Sequence, residues 1–240
     1  MLNIQAYGLY KGLTPEKLVT EKAKFAKSAV IKADVEYFKS KIAEMKTPDD
    51  FLKNYRVFKF ALTAYNMETQ LDYPFRIKTI MKDDPSSSAA LVNRMSDPSY
   101  REINKAFDFF NSGVAKLKDA AFIDSLVKKY SEAKYESSLG ELSPDVSTAL
   151  YFDRKIGSAT NAYQIIGDPV LFDVVKTALN IPNAAVQGKV ERLKAWIEKD
   201  LDMTRLSDKA YIRKITERFL VLKDVETRKS EGNGLLDMFA

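Results

Sequence analysis

Two residue types, cysteine and histidine, are absent from this chain of 240 residues. Without cysteine the chain has no disulfide, no thiolate nucleophile and no sulfur ligand for zinc. Without histidine it lacks the side chain that most often acts as a general base near neutral pH or as a metal ligand. A Ser-His-Asp triad is therefore excluded. We expect a protein that is not an enzyme and that holds no metal or cofactor.

Long apolar runs are missing as well. No stretch approaches the roughly 20 apolar residues that a helix needs to cross a bilayer. The first eight residues have neither the charged start nor the apolar core of a signal peptide. We therefore expect no membrane insertion and a protein that starts in the cytoplasm. Export by a type III route, which needs no cleaved signal, stays open.

The charge is basic but weakly so. Lys and Arg number 38 against 33 Asp and Glu, a formal net charge of +5, and 45% of the residues are hydrophobic. This is the balance of a globular protein, and it permits an acidic partner without requiring one. A nucleic-acid groove needs its cations concentrated on one surface. Nucleic acid is therefore not expected as a partner.

The chain resembles itself when it is shifted by 114 positions. The block that starts at Tyr37 falls on the block that starts at Tyr151, and Asn66 falls on Asn180. Further along, and at a shift of 111 positions, Arg94-Met95-Ser96-Asp97-x-x-Tyr100 matches Arg205-Leu206-Ser207-Asp208-x-x-Tyr211. The blocks keep their order. We interpret the chain as two diverged copies of one helical module.

Helix start signals recur along the chain. Thr14-Pro15, Thr47-Pro48, Ser143-Pro144 and Asp168-Pro169 each combine an N-cap residue with Pro at the first helical position. Apolar residues follow at helical spacing, and strand-like alternation is absent. Asn66 and Asn180 fit left-handed helix ends. The fold class predicted is all-α, a compact multi-helix domain built from two diverged helical repeats.

Composition divides this domain into four segments. Residues 1–33 form an Ala- and Lys-rich helical arm, with one helix possible from Thr14 to about Met45. Residues 34–112 and 113–226 are repeats one and two. Residues 227–240 are predicted to be a flexible tail with an apolar end.

The apolar end of the tail is the candidate partner-binding site. Leu235, Leu236, Met238 and Phe239 follow the Gly-containing spacer 229–234, an arrangement that can present a docking peptide. Folding of the tail back onto the core of the protein explains the same residues equally well.

Other candidate sites have simpler explanations. Asp83 and Asp84 could bind a hard cation, but a turn that caps the next helix accounts for them. Lys209 and Arg213 could touch phosphates, but Glu217 lies in line with them, which is typical of a solvated face of mixed charge. We therefore name no catalytic, cofactor or metal residue.

Several blocks resemble a bacterial family catalogued as domain of unknown function 1217 (DUF1217). They include Asp49-Asp50-Phe51-Leu52-x-x-Tyr55-Arg56-Val57-Phe58, Ser96-Asp97-Pro98-x-Tyr100 and Tyr163-x-Ile165-Ile166-Gly167-Asp168-Pro169. Members of that family are typically encoded in flagellar gene clusters of alpha-proteobacteria. The resemblance implies a non-enzymatic flagellar accessory or structural protein, associated with assembly or with the basal-body rod. Its partners would be flagellar proteins, and it could be flagellum-associated or exported by the flagellar type III route.

Two alternatives stay open. One is a basic helical module that binds nucleic acid or regulates, which would show a steep dependence of binding on salt. The other is an enzyme that uses carboxylates or lysines, which would need a concave pocket holding ionisable groups with shifted pKa values.

Overall fold

The structure, a computed structural model, describes the backbone of residues 5–237 and the side chains of residues 5–229. Helices dominate, and no strand occurs within the described backbone. The predicted all-α class is therefore confirmed. None of the described helices has the length and apolar character that crossing a membrane requires.

The α-helices are numbered in chain order. They are α1 (Ala6–Lys11), α2 (Pro15–Ala26), α3 (Ala29–Glu44), α4 (Pro48–Lys53), α5 (Tyr55–Ala64), α6 (Pro74–Lys82), α7 (Leu91–Arg94), α8 (Ser99–Phe107), α9 (Phe109–Ser112), α10 (Ala120–Gly140), α11 (Pro144–Lys155), α12 (Ala162–Gly167), α13 (Pro169–Ala178), α14 (Asn183–Val186), α15 (Val190–Asp200) and α16 (Lys209–Asp237). Short 3-10 turns cover Glu68–Asp72, Ala115–Lys118, Ile156–Ser158 and Met203–Arg205.

The chain divides into two compact units. The central unit comprises Pro15–Tyr135, and the terminal unit joins Met1–Thr14 to Glu136–Ala240. The boundary between these units lies inside α10. The start of repeat two at residue 113 is a separate claim about the sequence and stays a prediction. The first half of α10 contributes Leu126 and Tyr130 to the central core. Burial of those side chains is why α10 belongs to the central unit as far as Tyr135.

The core of the central unit is rich in aromatic side chains. Phe51 and Phe107 are fully buried, with ring centroids 5.0 Å apart. Phe60 stacks between Phe38 and Tyr130 at centroid distances of 4.1 and 3.8 Å. Stacked pairs of this kind contribute about 0.5–1.5 kcal/mol each beyond simple burial. This stack ties α3, α5 and α10 together.

The terminal unit packs α11, α13 and α16 against one another around buried side chains such as Phe152, Val174 and Phe219. Helix α1 packs on α11 and α16. The Asp224 carboxylate on α16 accepts hydrogen bonds from the backbone N–H groups of Ala6 and Tyr7, at 2.9 and 3.1 Å. These are N–H groups that the first turn of a helix leaves without an internal acceptor.

Segment 1–33 therefore differs from the predicted arm. Its first part, α1, is bound to the terminal unit, where Ala6 and Tyr10 are buried. The single helix considered from Thr14 to about Met45 is two helices, because Ser28 adopts an extended conformation between α2 and α3. This break lets Phe25 pack edge-on against Tyr135, with ring centroids 5.6 Å apart. No Gly or Pro marks it in the sequence.

The C-terminal segment also differs from its prediction. Helix α16 continues to Asp237, so the backbone of residues 227–237 is helical where the sequence predicts a flexible tail over 227–240. The glycines at 232 and 234 cost about 1 kcal/mol each in a helix interior. Extending an established helix requires no new nucleation, which explains why two glycines do not end it.

The predicted helix caps form at several of the signalled positions. Thr47 and Asp50 make a reciprocal capping box at the start of α4. The Ser143 side chain accepts from the Val146 N–H at the start of α11. Asn66 and Asn180 have φ values of 57° and 53°, the left-handed conformation predicted for both.

Helices α4 and α5 share their bounds with α12 and α13 when residue numbers are shifted by 114. Their caps match as well. Asn54 accepts from the Val57 N–H, and Asp168, at the corresponding position, accepts from the Leu171 N–H. Common descent of the two stretches stays a prediction.

Candidate functional site

A cavity of about 240 Å³ opens in the central unit. We call it the α3–α5–α10 pocket. Its walls come from α3 (Asp34, Tyr37, Phe38), α5 (Arg56, Lys59, Phe60, Thr63), α10 (Tyr130, Lys134) and the 3-10 turn at Glu68. Five of these ten side chains carry a charge.

Helical spacing explains why these side chains meet. On α5 the residues stand at positions i, i+3, i+4 and i+7, so they share one face of the helix. On α10 the spacing of Tyr130 and Lys134 is i, i+4, with the same consequence. The stack of Phe38, Phe60 and Tyr130 holds the three helices in register beneath the polar groups.

Asp34 is the most strongly bound acid in the pocket. Its carboxylate accepts from the Arg56 guanidinium at 2.9 Å and from the Tyr130 hydroxyl at 2.6 Å. Partial burial disfavours the charged carboxylate, but the hydrogen bonds from Tyr130 and Arg56 outweigh it and lower the pKa of Asp34. Burial, with the Asp34 carboxylate beside the hydroxyl, raises the pKa of Tyr130. At neutral pH Asp34 is therefore ionised and Tyr130 is protonated.

Arg56 is held by a second contact, because its guanidinium lies 4.0 Å from the ring centroid of Tyr37. Glu68 accepts a hydrogen bond from the Thr63 hydroxyl at 2.7 Å. Lys59 and Lys134 differ from Arg56. Neither makes a hydrogen bond or an ion pair through its side chain within the described part of the chain, although Lys134 also helps to lower the pKa of Asp34.

The pocket is better arranged for holding charge than for moving protons. A general base or acid works best when its pKa lies near the operating pH. The pKa of Asp34 is lowered and the pKa of Tyr130 is raised, so both pKa values move further from neutral pH. This hydrogen-bonded pair therefore does not exchange a proton at neutral pH. In contrast, Lys59 and Lys134 make no ion pair within the described residues, and the five charges of the pocket sum to one excess positive charge, so the pocket attracts an anion. Over the described residues, no group of three or more acidic side chains could hold a metal ion.

A family profile described as "Protein of unknown function (DUF1217)" matches residues 64–212, more than half of the chain. The chain belongs to the DUF1217 family. The resemblance found in the sequence blocks is thereby confirmed.

A crystal structure of a protein from Agrobacterium tumefaciens, determined in a structural genomics programme, is similar to this DUF1217 chain. The two share 25% sequence identity with a TM-score of 0.81, and the match covers 92% of this chain and 94% of the other. A comparison with curated proteins gave no significant match.

The partner-binding residues predicted from the sequence of this DUF1217 protein fall at the edge of what the structure describes. Leu235 and Leu236 lie in the helical backbone of α16, but their side chains are outside the described residues. Met238 and Phe239 are outside them altogether. Their role as a docking peptide stays a prediction.

Asp83 and Asp84, the candidate cation ligands, accept hydrogen bonds from nearby residues of the chain. Asp84 accepts from the backbone N–H and the hydroxyl of Ser86, at 2.9 and 2.6 Å. Asp83 accepts from the Val92 N–H at 2.9 Å. These are the contacts of a turn that caps the following helix.

The candidate phosphate ligand Arg213 lies on a face of mixed charge. Its guanidinium contacts the Glu217 carboxylate at 3.0 Å, and it also lies 5.0 Å from the ring centroid of Tyr10. The Arg213 guanidinium is therefore already bound by an acid and an aromatic ring of the terminal unit. This arrangement is typical of a structural role and does not indicate a phosphate site.

A second surface feature of the DUF1217 chain is an exposed aromatic cluster at the start of α6. Phe75 is 85% exposed and Tyr73 is 56% exposed. The Arg76 guanidinium lies 4.4 Å from the Tyr73 ring centroid and donates to the Gln70 side-chain oxygen at 2.6 Å. Gln70 in turn accepts from the Tyr100 hydroxyl at 2.7 Å. Hydrogen bonds from Arg76 and Tyr100 to Gln70 therefore fix the Arg76 side chain beside Tyr73.

Neither the pocket nor the cluster is predicted from the sequence. The α5 face could have been recognised by its spacing of Arg56, Lys59 and Thr63. Tyr130 is 96 residues from its partner Asp34, and no local pattern indicates that pairing.

Proposed function

We propose that this DUF1217 protein is non-enzymatic and acts through protein–protein contacts as an accessory or structural part of the flagellum. The observation that carries the proposal is the cluster formed by the exposed Tyr73 and Phe75 with the half-buried Arg76. Tyr and Arg are among the residue types that contribute most to binding at protein interfaces, and aromatic residues are enriched there.

Two side chains of the cluster, Tyr73 and Arg76, are ordered by contacts within the protein, which suits them to binding. Arg76 is held by Gln70, and Tyr73 rests on the guanidinium of Arg76. A side chain that is ordered before binding loses less conformational entropy when a partner arrives. Phe75 projects almost completely into solvent, and burying such a side chain contributes about 1.5–3 kcal/mol.

The non-enzymatic part of the proposal is supported by the electrostatics of the α3–α5–α10 pocket. Its hydrogen-bonded acid and phenol, Asp34 and Tyr130, have pKa values shifted away from neutral pH. Such a pair stabilises structure and is poorly suited to acid–base catalysis. The flagellar part rests on the expectation, stated from the resemblance of the sequence blocks, that members of this family are encoded in flagellar gene clusters.

A capture experiment with two matched variants tests the proposal. Tagged wild-type protein, Phe75→Ser and Phe110→Ser are expressed in a flagellated bacterium that carries the gene, and captured proteins are identified by mass spectrometry. Phe110 is also exposed, at 54%, but lies on α9 away from the cluster in sequence. It therefore controls for the loss of an exposed aromatic side chain.

We expect wild type and Phe110→Ser to capture the same flagellar protein and Phe75→Ser to capture it weakly. Deletion of the gene should impair motility, and only the first two proteins should restore it. Normal motility after deletion, or capture without any flagellar protein, would refute the flagellar role. Equal capture by all three proteins would show that the cluster is not the binding surface.

A further inference from the structure

The charged groups of the α3–α5–α10 pocket do not balance one another. Arg56 and Asp34 form an ion pair at 2.9 Å. Three charges then remain on the walls: two lysines, Lys59 and Lys134, and one acid, Glu68. Glu68 is bound to the uncharged Thr63 hydroxyl. The pocket therefore holds one positive charge more than its own acids neutralise.

We propose that this pocket binds a single carboxylate group, which Lys59 and Lys134 hold. Both lysines line the cavity, and neither makes an ion pair or a side-chain hydrogen bond in the described part of the chain. A lysine ammonium offers three N–H donors and no acceptor, so it binds an anion as a compact point charge. The proposal does not depend on the flagellar role.

The charges favour a monoanion over phosphate. A monoanion neutralises the excess positive charge, whereas a phosphate dianion would leave the pocket net negative and would be repelled by Glu68. Like charges that share a small site disfavour each other's ionised form. A carboxylate carries one charge and accepts hydrogen bonds from two donors through its two oxygens.

The size of the pocket limits the rest of the ligand. Its volume of about 240 Å³ lies below the roughly 300–1,000 Å³ of sites for drug-sized molecules. The rings of Tyr37, Phe60 and Tyr130 line it beside the charged groups. A short apolar group attached to the carboxylate can therefore contact aromatic walls. Two sources have this chemistry: a free small carboxylic acid, and an acidic side chain on another protein.

Titration of the full-length protein with sodium benzoate tests the proposal. Backbone amide shifts are followed by NMR, with sodium chloride at matched ionic strength as the salt control. We expect saturable shifts at residues 56–63 and 130–134 at millimolar benzoate. Lys59→Gln and Lys134→Gln should each weaken binding by about threefold or more, the effect of losing one partly solvated ion pair.

Lys53→Gln and Lys128→Gln are the matched controls, since both lysines are exposed and lie outside the pocket. Neither should change benzoate binding. The variant Glu68→Gln tests whether the charge of Glu68 selects the ligand. If Glu68 had only a structural role, its replacement would not change which anion binds. Removing its charge should tighten benzoate binding and allow inorganic phosphate to bind.

Two blocked peptides, one with a central Glu and one with Gln in its place, distinguish the sources. Binding of the Glu peptide in the pocket, with loss in Lys59→Gln, would indicate an acidic side chain of a partner protein. Binding of benzoate without the Glu peptide would indicate a free small acid. The proposal is overturned if neither ligand binds, if the pocket lysine variants bind like wild type, or if wild type binds phosphate more tightly than benzoate.

Discussion

Replacement of Asp168 by Ala should be among the more damaging single changes in the terminal unit. Asp168 is 2% exposed and uses both carboxylate oxygens. One accepts from the backbone N–H groups of Val170 and Leu171 at 2.9 and 3.0 Å, and so caps α13. The other accepts from the buried Tyr151 hydroxyl at 2.6 Å. The substitution removes the cap and deprives a buried hydroxyl of an acceptor at the same time.

The magnitude follows from these two losses. A lost N-cap costs about 1 kcal/mol, and a lost hydrogen bond to a charged group costs about 1.5–3 kcal/mol. We expect Asp168→Ala to lower the free energy of unfolding by about 3 kcal/mol. For a chain of this size that corresponds to a fall in Tm of roughly 6–12 °C. Asn54→Ala removes only the corresponding cap of α5, so it should cost about 1 kcal/mol.

Urea unfolding of the full chain, followed by far-UV circular dichroism, measures these differences. Tyr151→Phe and the double variant with Asp168→Ala complete a double-mutant cycle. The double variant should cost less than the sum of the single ones, because each single variant already removes the shared hydrogen bond between Tyr151 and Asp168. Equal costs for Asp168→Ala and Asn54→Ala, or strict additivity in the cycle, would refute the reasoning.

Two further predictions concern the backbone and the pocket. Asn66→Ala and Asn180→Ala should each lower the free energy of unfolding by about 1–2 kcal/mol, because Ala disfavours the left-handed conformation. Gly at either position should be nearly neutral. Similar urea midpoints for the Ala and Gly variants would contradict this. The lowered pKa of Asp34 means that its contribution to stability is present above the unfolded-state pKa and is lost as pH falls through the folded-state value. Asp34→Asn should therefore lose less thermal stability than wild type as the pH falls below about 4, and parallel Tm curves for the two proteins would contradict that.

Local chemistry explains which parts of the fold could be predicted. Thr47, Ser143 and Asp168 start helices where their sequence context indicates, because a cap satisfies N–H groups within three residues of itself. Asn66 and Asn180 end helices in the left-handed conformation for an equally local reason. Signals of this kind depend on a few neighbouring residues, so the sequence displays them directly.

The structure departs from the expectations drawn from the sequence where contacts between distant residues decide the conformation. No Gly or Pro marks the break at Ser28, and it coincides with the packing of Phe25 against Tyr135, 110 positions further along the chain. The unit boundary inside α10 follows from the burial of side chains from its first half in the central core. The sequence assigns α1 to an arm because the docking of this helix depends on Asp224, which lies 218 residues from Ala6.

Read from its residues alone, this DUF1217 protein is all-helical, begins many of its helices at recognisable caps, and has no access to thiol or imidazole chemistry. These properties follow from side-chain inventory and from hydrogen bonds within a single turn. The folded chain was needed to show that Asp34 meets Tyr130 and that Phe75 stays in solvent. It was also needed to show that Lys59 and Lys134 line the same cavity and make no ion pair within the described residues. The charge balance of the pocket and the exposure of Phe75 depend on which helices pack together. Helix packing is determined by contacts between residues far apart in the chain.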